Sequence, residues 1–261
     1  MKTRTVLWIA TIILTFFASC ANHSNAPAKL TPIPDNAQPR LMPASLFTAA
    51  PDSIIKALGL QEGIPSSVSV FLLEKDDMQI LFDTGNGAPD SQLLPTLEKN
   101  GWKTADIDCI FITHLHGDHV GGLLSGEKAV FEQAILYIPA KEYVAWMAMP
   151  EERNRQLKLI EAAYGKRFVK FDLGTELPGG VTAIAAYGHT PGHTVYQVGD
   201  KLIVGDIMHG VALQLKHPEI CARFDMDGEQ AITARKQIIE KARKEKLTMY
   251  GMHFPAPYYL K

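Results

Sequence analysis

The 261-residue chain predicts a mixed α/β (α+β) fold: a four-layer αββα body, two sheets packed face to face with helices outside. Three observations carry that expectation. Short apolar runs, bounded by Gly, Pro and Asp, recur in both halves of the chain and read as strands. Longer amphipathic stretches lie among them in each half and read as helices. Polar residues with metal-ligand chemistry stand directly after several of the apolar runs, as they do where strand ends converge on one sheet edge.

Residues 1–19 read as a signal peptide, with Lys2 and Arg4 ahead of the apolar run Val6 to Phe17. That run is short for a spanning helix. Phe17-Ala18-Ser19-Cys20 resembles a bacterial lipobox, in which Cys20 becomes the lipid-bearing first residue. An ordinary cleaved signal and an uncleaved anchor are the alternatives. The expectation is an exported, membrane-anchored lipoprotein facing the periplasm or the cell surface. Removal of Lys2 and Arg4 takes the formal charge from -2 to -4. Residues 20–40, with prolines at 27, 32, 34 and 39, are expected to be the lipidated cysteine and a flexible tether. The folded domain is expected over residues 41–261.

Within that domain, Asp52 to Leu58 reads as a short helix closed by Gly59. Ser67 to Leu73 and Gln79 to Phe82 read as a hairpin that ends in the turn Asp83-Thr84-Gly85-Asn86-Gly87. Leu93 to Asn100 is a helix, Ile107 to Thr113 a strand, and Val120 is expected to begin a helix. Ile135 to Ile138 is a strand, followed by helices over Lys141 to Met149 and Asn154 to Tyr164, divided at Pro150. Strands are expected over Phe168 to Phe171, Val181 to Ala186, Thr194 to Val198 and Leu202 to Gly205. Gly228 to Lys246 is a long helix capped by Asp227, and Leu247 to Gly251 a last strand.

The stretch Thr113-His114-Leu115-His116-Gly117-Asp118-His119 carries the chemistry. It follows the buried run Ile110-Phe111-Ile112. In extended backbone, residues two apart point the same way, so His114 and His116 are placed to hold one ion. Gly117 permits a sharp turn that aims Asp118 and His119 at a second position. Imidazole nitrogen suits zinc, and carboxylate oxygen holds or orients a metal-bound water. Further candidates follow later strands: His189 and His193 in a Pro-Gly turn, Asp206 after Leu202 to Gly205, and His253 after Leu247 to Gly251. On composition alone either His189 or His193 is a ligand.

Asp83-Thr84-Gly85, the His114 to His119 stretch, His193, Asp206 and His253 together resemble the motif set of the metallo-β-lactamase superfamily, in its order. The resemblance implies the αββα metallo-β-lactamase sandwich and a two-metal centre. It assigns His114, His116 and His193 to the first metal, and Asp118, His119 and His253 to the second. Asp206 would bridge them, with Asp83 bracing the cluster from behind. Within the superfamily the chain looks most like the branch with methyl parathion hydrolase and exported lactonases. Pro43-Ala44-Ser45-Leu46-Phe47, Gly205-Asp206-Ile207-Met208-His209, His217-Pro218, Phe224-Asp225-Met226-Asp227 and Gly251-Met252-His253-Phe254-Pro255 carry that likeness. The thirteen residues from His193 to Asp206 imply a clipped hairpin there.

The implied activity is hydrolysis by a metal-bridging hydroxide, with two divalent ions, zinc foremost, iron, manganese or cobalt also suited. Asp118 would orient the nucleophile or pass on a proton, and His209, three residues after Asp206, would be a donor behind the ligands or line the pocket, an inert loop histidine being the alternative. Lactones such as acyl-homoserine lactones are the expected substrates, with organophosphate triesters and aryl esters next. A β-lactamase, a glyoxalase-type thioesterase and a metal-binding lipoprotein without turnover are more distant readings. The thioesterase would need a basic region, and none stands out along the chain. With pI about 6.5 and no cluster of Lys and Arg, nucleic acid is excluded as a partner. Related enzymes are often dimers, so a homodimer is one option. Cys109 and Cys221 are expected to be free thiols.

Overall fold

A computed structural model describes residues 28–261. The signal segment and Cys20 lie outside the described residues. No helix among the described residues is long and apolar enough to cross a membrane.

The first sheet has six strands. In chain order they are β1 (Lys29–Pro34), β2 (Ser69–Lys75), β3 (Met78–Phe82), β4 (Cys109–Phe111), β5 (Ile135–Pro139) and β6 (Phe168–Phe171), and they lie side by side in that order. The first three pair antiparallel and the rest parallel. Parallel neighbours need helical crossovers, supplied by α1 (Leu93–Lys99) between β3 and β4, and by α2 (Ala140–Met147) and α3 (Glu151–Tyr164) between β5 and β6. The second sheet comprises β7 (Thr182–Ala185), β8 (Thr194–Val198), β9 (Lys201–Gly205), β10 (Thr248–Gly251) and β11 (Tyr259–Leu260). The long α4 (Gly228–Glu245) crosses from β9 to β10, and Asp227 caps it by accepting from the Gln230 amide at 3.0 Å.

Alternation along the strands sorts the side chains into the expected four layers. Phe71, Leu73, Phe82 and Phe111 of the first sheet meet Tyr196, Val198 and Ile203 of the second. The opposite face of the first sheet, with Leu72, Leu81 and Ile110, packs on Leu97, Leu157 and Ile160 of its helices. The outer face of the second sheet, with Val195, Leu202 and Val204, packs on Ala234, Ile238 and Ile239 of α4. Hydrogen bonds also tie the sheets: the buried Tyr196 hydroxyl donates to the Ile112 carbonyl at 2.7 Å, and the Thr194 amide to the Thr113 carbonyl at 2.9 Å.

Two expectations need correction. Residues 29–34 are not tether: they form β1, registered with Ile33 opposite Val70, and Ile33 is fully buried. Their prolines deny ladder donors but are tolerated on an edge strand. No long helix begins at Val120 either. One helical turn spans Gly117–Val120, a 3-10 turn follows over Gly121–Leu123, and the chain is then extended. The paired glycines serve contact rather than helix, because a Cβ on Gly121 would lie 2.0 Å from the Asn86 carbonyl oxygen.

Candidate metal centre

The ligand-type residues leave the C-terminal ends of four strands at one edge shared by both sheets. Asp83 follows β3, His114 to His119 follow β4, Asp206 follows β9 and His253 follows β10. The β9–β10 register shifts between Ile203 and Gly205, an irregularity that re-aims the chain just before Asp206. Gly205 itself has φ +52, and a Cβ there would sit 2.6 Å from His193 Nε2.

Three groups of ligand atoms result among the described residues, each gathered within 4.8 Å; His189, His209 and Asp225 form one, and the other two share Asp206. Of those two, the first holds His114, His116, His189 and Asp206; the second holds Asp118, His119, Asp206 and His253. In the first, His114 Nε2 stands 2.9 Å from His116 Nδ1, and His189 Nε2 stands 3.1 and 2.9 Å from those two atoms. In the second, Asp206 is 3.2 Å from His119 Nε2 and 3.0 Å from His253 Nε2, and Asp118 is 3.5 Å from His253 Nε2. Asp206 belongs to both groups.

His193 does not join them, which corrects the assignment made from the resemblance. Its Nδ1 donates to the Ala186 carbonyl at 3.1 Å, and its Nε2 accepts the Asp206 amide at 3.0 Å. Both ring nitrogens are spent on backbone. Burial and the neighbouring His189 push its pKa down to about 3, which keeps the imidazole neutral for that role. His189 takes the converging place instead. The residues from His193 to Asp206 do form a short hairpin, Thr194–Val198 and Lys201–Gly205 joined through Gly199 and Asp200.

Three of the remaining ring nitrogens are held from behind. His189 Nδ1 lies 3.0 Å from Asp225, whose other oxygen accepts from Arg235 at 3.1 Å. His253 Nδ1 donates to the Ser67 carbonyl at 2.7 Å. His119 Nδ1 donates to Asp83 at 2.8 Å, and Asp83 also accepts from the Thr113 amide and hydroxyl. Asp83 adopts φ +61, a left-handed conformation that Asp tolerates better than most side chains. His209 Nε2 reaches Asp206 at 3.3 Å.

Glu142 and Asp225 carried no role in the sequence reading. Glu142 is fully buried on α2. It accepts from the Leu115 amide, the Trp146 indole, the Thr190 hydroxyl and the Gly192 amide at 2.6–3.0 Å. It thereby joins the His114–His116 loop to the His189 loop. A lone Glu in an amphipathic helix reads as a solvent-facing residue, so no sequence signal marks it. Asp225 lies in the Phe224 to Asp227 segment that carries the branch likeness, yet its contact with His189 depends on folding.

Divalent cations fit this donor set. His119 Nε2 and Asp206 Oδ1 are buried without hydrogen-bond partners, which is costly unless another species satisfies them. Three nitrogens near 3 Å from one another cannot all donate, but each can face one ion at roughly 2.0–2.1 Å. Burial and the surrounding histidines hold His114 well below its ordinary pKa, and burial with His189 lowers His116 to about 3, so both are neutral, the ligating form. Burial opposes charge on His119 as well, yet Asp206, Asp83 and Asp118 raise its pKa well above the ordinary value. Burial also opposes charge on Asp206, but His253 and His119 hold its carboxyl well below the carboxylate range. The second group thus favours positive charge.

A cleft of about 640 Å³ opens onto both groups, lined among others by His116, Asp118, Asp206, His209 and His253. The chain is 26% identical to an N-acyl homoserine lactonase from a Bacillus species over 249 residues, covering 81% of this chain and 91% of that one. It is 28% identical to a hydroxyacylglutathione hydrolase of Dechloromonas aromatica over 141 residues, covering 54% of this chain and only 44% of that protein. The solved structure of AidC, a dizinc quorum-quenching lactonase in complex with a product, superposes with TM-score 0.79 at 26% identity, covering 89% and 90% of the two chains. The model of the metallo-beta-lactamase superfamily matches residues 63–209, more than half of the chain, and the chain belongs to that superfamily.

Proposed function

We propose that the protein is a dinuclear metal-dependent hydrolase acting on lactones, acyl-homoserine lactones among them, or on related esters. The observation that carries this reading is the sharing of Asp206 by two buried ligand groups under one open cleft. A site for storage needs no shared carboxylate and no open approach. Lactonase relatives that align over most of their length favour lactones over phosphotriesters.

His114, His116 and His189 would hold one ion and Asp118, His119 and His253 the other, with Asp206 between them. Divalent ions there would supply an acidified water at neutral pH and Lewis acidity toward the bond being broken, and zinc suits the donor set best. Asp118 is the ligand-type carboxylate turned to the cleft, its side chain 30% exposed. Burial works against its ionisation, but His119 and His253 keep its pKa below the ordinary value. Its carboxylate is placed to take the proton of the attacking water and return it to the leaving oxygen as the carbon–oxygen bond breaks. His209, lowered in pKa by burial, is a neutral donor to Asp206 and a wall of the cleft.

The test is metal content and turnover on one sample of the mature chain. Two ions per chain, lactone hydrolysis lost on chelation and restored by zinc, and no hydrolysis by a His114→Ala/His116→Ala variant are expected. Fewer than one ion per chain, with no turnover of lactone, aryl ester or phosphotriester after metal addition, would sink the reading. We propose also that the protein is exported and lipidated on Cys20. Metabolic labelling with an alkynyl fatty acid should mark the wild type and not Cys20→Ser; equal labelling of both would refute it.

A further inference from the structure

The cleft has a second chemistry that the metal centre does not use. Arg40, Arg153 and Arg223 all line it. They come from three distant segments: an extended strand over Arg40–Met42, the first turn of α3, and the residue after the strand Cys221–Ala222. None of the three makes an ion pair within 4.0 Å with a described carboxylate, whereas the fully buried Arg235 is paired to Asp225. The cleft's own acids are engaged elsewhere, Asp206 and Asp118 with His119 and His253, and Asp225 with His189 and Arg235.

Three guanidinium groups around one opening, none paired with a described carboxylate, leave that rim cationic. In a chain with formal charge -2 they are not a by-product of a basic composition. Guanidinium is the side chain best shaped for carboxylate and phosphate, since its donor fork meets two oxygens at once. Between the arginines the wall is apolar: Phe224 and Met226 are 42% and 46% exposed, and Phe224 lies 5.3 Å from the His209 ring. The cleft therefore offers a metal-ligand floor, an apolar side and a cationic rim.

Building on the hydrolase reading and narrowing it away from neutral acyl-homoserine lactones, we propose that the preferred substrate is an amphiphilic anion: an ester, lactone or thioester whose apolar portion ends in a carboxylate or phosphate held by Arg40, Arg153 and Arg223. These arginines act in specificity and bind the end of the substrate away from the reacting bond. The basic region missing from the linear sequence is assembled only by folding.

The test is binding, which is read whether or not turnover occurs. Metal-loaded protein is titrated by calorimetry with a medium-chain monocarboxylate, the dicarboxylate of equal length, and the carboxylate bearing a terminal phosphonate. All three present one carboxylate to the metal floor, so differences report the second anion. The expected result is at least tenfold tighter binding of a doubly anionic probe, collapsing to near parity in Arg40→Gln/Arg153→Gln/Arg223→Gln and in high salt. The dicarboxylate and phosphonate arms decide which anion fits better. Equal affinity for singly and doubly anionic probes, or a preference that survives the triple substitution, would overturn the inference. Failure of the hydrolase reading is separately visible as absence of turnover in the same preparation.

Discussion

Glu142 shows how much one side chain can fix at the residue scale. A carboxylate with no solvent contact is expensive, and burial pushes its pKa up, yet four donors surround it. Three of those donors, from Leu115, Thr190 and Gly192, belong to the loops that carry His116 and His189, so the buried acid sets the distance between two proposed ligands. Glu142→Gln should cost about 2–3 kcal/mol, because an amide turns donors toward donors. At ~2–4 °C per kcal/mol for a chain of this size, Tm should fall by roughly 4–12 °C; an unchanged melting curve would refute the clamp. The two histidines of the Pro-Gly turn separate in a similar way. His189→Ala should lose an ion by elemental analysis at saturating zinc. His193→Ala, which removes only backbone partners, should keep two ions per chain and weaken metal affinity by no more than about 10–100-fold. The reverse pattern would restore His193 as the ligand.

At the scale of the element, β4 is only three residues long and is buried throughout. It is held by parallel neighbours on both sides and delivers the histidine loop from the middle of its sheet. Cys109 opens that strand, unpaired with Cys221. Burial, helped by the charge of Asp108, pushes its thiol from 9.0 up to about 11. Below the lower value the thiol is protonated in both states, and its contribution to stability is intact. As pH rises from there, the unfolded chain ionises first and stability falls, by up to about 2–3 kcal/mol once the folded thiol also ionises. The difference in Tm between wild type and Cys109→Ala should therefore shrink between pH 9 and 11; a constant difference would show that the thiol is not perturbed. Most elements were legible from their apolar runs, because strands such as Phe168–Phe171 and Thr194–Val198 sit between plain turn signals. β1 was not, since its prolines and its Asn- and Ser-rich surroundings carry the composition of a linker. What makes it a strand is the partner, β2, whose edge it covers.

For the whole molecule, the metal centre is a store of unmet electrostatics as well as a site. Negative charge from Asp206, Asp83 and Asp118 converges where both sheets end, and two buried ligand atoms lack partners. Ions bound there should stabilise the fold by mass action, by about 2.7 kcal/mol for each site at a free concentration one hundred times its Kd. Chelation should lower Tm by several degrees and zinc should restore it; identical melting of the stripped and loaded protein would place the ions, if any, elsewhere.

Sequence by itself determined the layered architecture, since the spacing of apolar residues dictates which faces must be buried. It also marked the His114 to His119 stretch, Asp206 and His253, because each stands directly after a strand and strand ends meet at an edge. Tertiary structure alone decided between His189 and His193. Four residues apart in one turn, they differ only in which carbonyl, amide and carboxylate the folded chain sets beside them. It alone placed Glu142 and Asp225 behind the ligands and gathered three scattered arginines around the cleft. Contacts between segments far apart in sequence leave no periodicity to read, and their energies exist only once the sheets have closed on each other.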